Sequence, residues 1–186
     1  IDTESGTGRY IPVTLDEHWN SPHMQSVRRR MIAGETLPEC EVCNDKLLNT
    51  SVYRDYFTNL FQHKFDSIVS NTTPEGRTSL HPVSWDYRFS NLCNFKCRMC
   101  GDQLSSSWEA ENRMLGNYDK GGDAWAQKQF KPIIEKFQTE VAEQELWDAV
   151  NEKRIEEIYW VGGEPLMWEI HRDIMKYLVD TGQAKD

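Results

Sequence analysis

Val83-Ser84-Trp85-Asp86-Tyr87-Arg88-Phe89 alternates apolar and polar residues, then runs through Ser90-Asn91-Leu92 into Cys93-Asn94-Phe95-Lys96-Cys97-Arg98-Met99-Cys100. A period of two over such a run predicts a strand with one buried face. Serine and asparagine end it, so the three cysteines fall on a loop at the strand's end. Thiolates at C-x3-C-x2-C spacing suit an iron–sulfur cube held by three ligands, where such cubes usually take four. The iron left over is an open position, the mark of a metal centre that binds substrate rather than braces a fold.

Downstream, a helix begins near Ser105 to Ser107, and a loop follows over Gly116 to Asp123. A long helical stretch covers Ala124 to Lys153, with a break at Pro132. Ile158-Tyr159-Trp160-Val161 is a short apolar run that suits a buried parallel strand. It stops at Gly162-Gly163-Glu164-Pro165. Two glycines adopt backbone angles closed to other residues and let a ligand approach the chain. Glu164 offers a carboxylate to an ammonium group, and Pro165 suits the first turn of the next helix. For a Gly-Gly pair alone, a plain turn between strand and helix is the simpler account. The last helix carries Leu166, Ile170, Ile174 and Leu178 on one face and ends at Gly182. Strand, helices, strand, helix is the opening of an α/β sheet or barrel. In such barrels the active-site residues gather at the strand ends, so the cysteine loop and the Gly-Gly turn become neighbours on one rim.

Upstream the character changes. Residues 1–20 have little periodicity. Ser21 caps a helix with Pro22 in its first turn, Met24, Val27 and Met31 on one face, and Gly34 at its end. Leu37-Pro38 leads into Cys40-Glu41-Val42-Cys43. A second helix is expected over Ser51 to Ser70, with Val52, Tyr56, Leu60, Phe61, Phe65 and Ile68 at helical spacing. Asn71 to Gly76 is a loop. A boundary at Pro82 divides the chain into a mainly helical, cysteine-bearing segment, 1–82, and an α/β segment, 83–186.

The composition narrows the function. With 186 residues and a net charge of −9, the chain can bury a core but lacks the surplus of Lys and Arg that phosphate binding needs. Residues 101–186 hold 18 Asp and Glu against 10 Lys and Arg, so nucleic acid is an unfavoured partner. No apolar run is long enough for a membrane span or a signal segment. Five cysteines, an odd count in two tight clusters, argue against a disulfide scaffold and for metal ligands in a reducing, cytoplasmic setting. The sequons at Asn49 and Asn71 then carry no meaning. Two plainer readings stand beside the open cluster. Cys40, Cys43 and two of the later cysteines could build a structural zinc site, or Cys93, Cys97 and Cys100 could be simple core residues.

The cysteine triplet after the first strand, paired with Gly-Gly-Glu-Pro after the second, resembles the radical SAM superfamily over about half the chain, from Trp85 onward. The resemblance implies a [4Fe–4S] cluster on Cys93, Cys97 and Cys100, whose fourth iron chelates the amino and carboxylate groups of S-adenosylmethionine. It implies that Gly162, Gly163, Glu164 and Pro165 receive the methionyl end, and that Met99 lies near the adenine. That position is often aromatic in the family; a flexible thioether also covers a flat ring. The implied fold is a partial (β/α) barrel, its first two βα units, preceded by the helical segment. The implied partners are S-adenosylmethionine and an electron donor.

Cys40 and Cys43, after their helix, are similar to the cysteine-bearing twitch or SPASM-type extension of some members. That extension usually follows the barrel, whereas here the pair precedes it. It implies an auxiliary iron–sulfur cluster and favours a peptide or protein substrate. Two cysteines complete neither a cluster nor a zinc site, so the remaining ligands would come from further sequence or a partner chain. The competing reading is a non-catalytic zinc or iron–sulfur module with a structural or electron-relay role. A full barrel needs more βα units than these, so the chain is expected to be part of a larger enzyme, with Ile158 and Trp160 left exposed. Arg28-Arg29-Arg30 reads as a solvated face, and Glu135, Glu140, Glu143 and Glu145 as solvent-facing. His18, His23, His63, His81 and His171 form no cluster, and the aromatic residues follow the apolar stripes of a core.

Overall fold

The computed structural model describes residues 12–41, 46, 53–88, 90–117 and 130–184. They divide into two units, one of residues 16–81 and one that joins 82–184 to residues 12–15.

In the second unit the alternating stretch forms β1 (Ser84–Tyr87), and β2 (Glu157–Trp160) lies parallel to it. The register pairs Trp85 with Ile158 and Tyr87 with Trp160, and on the opposite face Ser84 with Glu157 and Asp86 with Tyr159. Trp85, Leu146, Ala149, Val150, Trp168 and Ile174 form the buried core, and Tyr87, Ile158 and Trp160 pack against it. Ile158 and Trp160 are thus half-buried, and the exposed member of the strand is Tyr159. The other face of the sheet is polar: the Ser84 hydroxyl donates to Glu157 at 2.5 Å, and Arg88 pairs with Asp86.

Of the unit's helices, the two over Glu143–Asn151 and Glu169–Asp180 pack on the apolar face. α5 (Ser106–Met114) starts at Ser105, whose hydroxyl accepts from the Trp108 N–H. α6 (Lys131–Phe137) passes through a π-helical turn, Gln138–Ala142, into α7 (Glu143–Asn151). Pro132 therefore opens a helix, where its missing N–H costs nothing, and the interruption falls later, at the π turn. The Tyr87 hydroxyl donates to the Ala142 carbonyl in that turn. Pro165–Met167 is a single 3-10 turn, and α8 (Glu169–Asp180) follows it, with Gly182 at φ +70 beyond its end. Leu166 accordingly stands outside the helix, exposed, and Trp168 takes the buried place that the apolar spacing assigned to it. Glu145 is not merely solvated: both carboxylate oxygens accept from the Leu15 N–H.

In the first unit, α1 (Leu15–Trp19) precedes α2 (Pro22–Ile32), which Ser21 caps by accepting from the Met24 N–H. Gly34 at φ +72 follows. The stretch read as one helix is two, α3 (Tyr53–Leu60) and α4 (Phe65–Ser70), separated by a 3-10 turn over Gln62–Lys64. Arg28 is not on a solvated face. Its guanidinium lies 4.4 Å from the Trp19 ring centroid and donates to the Trp19 carbonyl at 2.5 Å and the Gly76 carbonyl at 3.2 Å. It fastens α2 to the turn that Gly76 makes at φ +86. A side chain at Gly76 would come within 2.9 Å of the Gln25 carbonyl carbon.

Candidate functional site

The cysteine loop leaves β1 and is fixed from behind by the first turn of α5. Four successive residues tie off its backbone. The Ser105 hydroxyl donates to the Phe95 carbonyl at 2.7 Å. Ser106 accepts from the Cys93 N–H at 3.1 Å, and both Ser106 and Ser107 reach the Cys93 carbonyl. The Trp108 indole donates to the Cys97 carbonyl at 2.9 Å.

The thiols share one neighbourhood. Cys93 is buried, and its sulfur accepts from the Phe95 N–H at 3.3 Å; Cys100 is half-buried and Cys97 exposed. Desolvation, the Cys97 and Cys93 charges and a hydrogen bond with Cys97 together push the Cys100 thiol above its ordinary value. All four described cysteines are free thiols. Among the described residues, no three His, Cys, Asp or Glu side chains stand in a ready metal-holding arrangement.

The Gly-Gly turn lies directly against this loop. The Glu164 N–H donates to the Leu92 carbonyl at 2.8 Å, one residue before Cys93. A Cβ at Gly163 would stand 2.9 Å from the Leu92 carbonyl carbon and 3.0 Å from that of Asn91. Gly163 is therefore required by the chain's own close approach, and the left-handed angle belongs to Gly162, at φ +95. Glu164 caps the short turn that Pro165 opens, accepting from the Leu166 N–H at 3.1 Å.

Large apolar side chains stand exposed around the two motifs. Met99 is 93% exposed, and Phe95, Leu92 and Leu166 are also exposed.

Behind the loop lies a polar cluster that sequence reasoning missed. The Glu109 carboxylate is 7% exposed and accepts from Lys131 at 2.5 Å, Arg113 at 2.8 Å and Asn91 at 2.6 Å. Burial pushes Glu109 up, but the hydrogen bonds from Lys131, Asn91 and Arg113 and the Lys131 charge outweigh it and hold the carboxyl at about 2. The i,i+4 spacing of Glu109 and Arg113 is visible in the sequence; the reach to Asn91 and Lys131 is not.

Cys40 belongs to the other unit. It ends a 3-10 turn, Pro38–Cys40, that follows the buried Leu37, and its N–H donates to the Leu37 carbonyl at 2.9 Å. Cys43 lies outside the described residues.

No family model matches this chain, and no curated protein or solved structure is significantly similar to it. Among the described residues, no helix is long and apolar enough to cross a membrane.

Proposed function

We propose that the chain is a radical SAM enzyme, or the opening part of one, built on the start of a (β/α) barrel. The observation that carries the reading is the seam between the two motifs, where Glu164 bonds to Leu92 and Gly163 fits against Asn91 and Leu92. Two stretches about 70 residues apart in sequence share one corner at the ends of parallel strands, where α/β proteins place their ligands.

What supports a cube cluster with an open iron is the donor chemistry: three free thiols on one short loop, with the Cys93, Phe95 and Cys97 carbonyls held by the side chains of Ser105, Ser106, Ser107 and Trp108. Cys93, Cys97 and Cys100 are the ligands. The chemistry such a cluster supplies when bound is one-electron reduction of S-adenosylmethionine: an external reductant provides the electron, and the carbon–sulfur bond opens to methionine and a 5′-deoxyadenosyl radical for hydrogen abstraction. The protein's part is ligation, orientation and exclusion of water. Gly162, Gly163 and Glu164 would receive the methionyl end, with the Glu164 carboxylate oxygen not used on the Leu166 N–H offered to its ammonium group and Pro165 setting the turn. Met99 and Phe95 offer apolar cover to the adenine.

Cys40 and Cys43 are proposed as half of an auxiliary iron–sulfur site, and a peptide or protein is the substrate class to test first, in a cytoplasmic setting. Anaerobic reconstitution with iron and sulfide, followed by S-adenosylmethionine and a one-electron reductant, should yield 5′-deoxyadenosine. A reconstituted chain that holds zinc and no iron would overturn the proposal.

A further inference from the structure

Asn91 and Glu109 form a connection that none of the recognised motifs includes. Asn91 is 7% exposed, and its amide group donates to the Glu109 carboxylate at 2.6 Å and to the Asp102 carbonyl at 2.8 Å. Its own carbonyl accepts from the Ser106 N–H at 2.6 Å. Asn91 is thereby bound to the first turn of α5 through its backbone, to the middle of α5 through Glu109, and to the far end of the cysteine loop through Asp102. On its other side, the Asn91 carbonyl carbon is 3.0 Å from the place a Gly163 Cβ would occupy, and the next residue, Leu92, accepts the Glu164 N–H.

Glu109 in turn is anchored independently of Asn91. Lys131, whose side chain is 15% exposed, holds both carboxylate oxygens, and Arg113 holds one. A buried carboxylate with three donors has little freedom to move, so it is a fixed point against which an amide can be set. An asparagine is suited to that place, because its NH2 carries two donors and here both are used on different elements.

We infer that Asn91, held by Glu109, is a positioning residue that sets the spacing between the cysteine loop and the Gly162–Glu164 turn. This rests on the proposed function for its consequence, since that spacing would align S-adenosylmethionine with the cluster. The mechanical part concerns only the chain. The Asn91 amide is engaged by Glu109 and Asp102. It acts by keeping the Leu92 carbonyl where Glu164 meets it.

The test uses the full chain in two arms. In the first, amide hydrogen exchange is followed in the cluster-free protein. Asn91→Ala should accelerate exchange of the Glu164 N–H by about tenfold, the scale of one lost hydrogen bond, while the amides of Glu143–Asn151 keep their protection. Glu109→Gln retains an acceptor for Asn91 and should leave Glu164 protected. In the second arm, the reconstituted Asn91→Ala chain should hold wild-type iron yet bind S-adenosylmethionine about tenfold more weakly. Unchanged Glu164 exchange in Asn91→Ala would overturn the inference. So would a uniform acceleration of all amides, which is what a merely structural role predicts, or a Glu109→Gln chain that loses Glu164 protection as fully as Asn91→Ala. If the wild-type chain binds no S-adenosylmethionine while Asn91→Ala still frees Glu164, the proposed function falls and the positioning role stands.

Discussion

The two cysteine segments differ in what holds them. The loop from Cys93 to Cys100 is clamped by Ser105, Ser106, Ser107 and Trp108, and its approach is fixed by Asn91 and Glu164. Among the described residues, Cys40 ends a single 3-10 turn in which its own N–H donates to the Leu37 carbonyl and the Glu41 N–H to the Pro38 carbonyl. Both segments contain a C-x2-C pair, and among the described residues side-chain hydrogen bonds to the cysteine backbone are seen in the later one. A metal ligand works through the groups that orient it as much as through its own donor atom. The first loop has those groups from its own unit. The comparison teaches that the cysteine motif alone is half of the argument, and the clamp is the other half.

Breaking either segment should therefore have unequal effects. Cys97→Ala is expected to abolish cube-cluster iron after anaerobic reconstitution, whereas Cys40→Ala should leave it in place; iron analysis and the visible absorption band read both. If Cys40→Ala instead removed the same metal as Cys97→Ala, the cysteines would belong to one site and the contrast would vanish.

Gly163→Val comes next in size. Its side chain would be driven into the Asn91 and Leu92 backbone. Overpacking of that kind costs about 1–3 kcal/mol, and the displaced seam should also lose S-adenosylmethionine binding. Urea denaturation with a parallel binding assay checks both, and a variant as stable as wild type would show that the turn can give way.

In the first unit, Arg28→Ala removes hydrogen bonds from a charged donor to the Trp19 and Gly76 carbonyls and a cation–π contact. A loss of about 1.5–3 kcal/mol is expected for that unit, read by denaturation. Cluster iron on Cys93, Cys97 and Cys100 should not change, because the Arg28 bonds fall within residues 19–76.

The last contrast is in pH. Glu109 is held at about 2 in the folded chain against an ordinary value of 4.5. Its contribution to stability is complete above the unfolded value and is lost as pH falls from 4.5 toward 2. Denaturation midpoints at stepped pH should show this slope in wild type and a flatter one in Glu109→Gln. Equal slopes would mean that Lys131 and Arg113 do not govern Glu109's proton.

What could be read in the sequence follows from the range of each interaction. The alternation at Trp85 and Tyr87, the cap at Ser21 and the helix start near Ser105 to Ser107 are local, and each lies where its residues put it. Pro132 was readable as a boundary but not as a start, since the same ring ends one helix or opens another. Nothing in Gln138–Ala142 signals a π turn. Leu166 fits the apolar spacing of the last helix, yet the turn begun at Pro165 shifts the buried role to Trp168. In the candidate site, the thiols and glycines announce themselves by type and spacing. Asn91, Glu109 and Lys131 do not, because their meeting depends on three elements folding together. Arg28 was hidden by its neighbours Arg29 and Arg30, which make an ordinary basic run.

The sheet has one further consequence, for how this sequence can drift. Parallel strands covered on both faces tolerate little but apolar volume. In β1 and β2 that demand falls on alternate residues: Trp85, Tyr87, Ile158 and Trp160 are constrained by size, while Ser84, Asp86 and Tyr159 answer to polarity. Substitutions along each strand should be tolerated in an odd–even rhythm, with shape selected on one set and chemistry on the other. The second set can change repeatedly without disturbing the packing of the first.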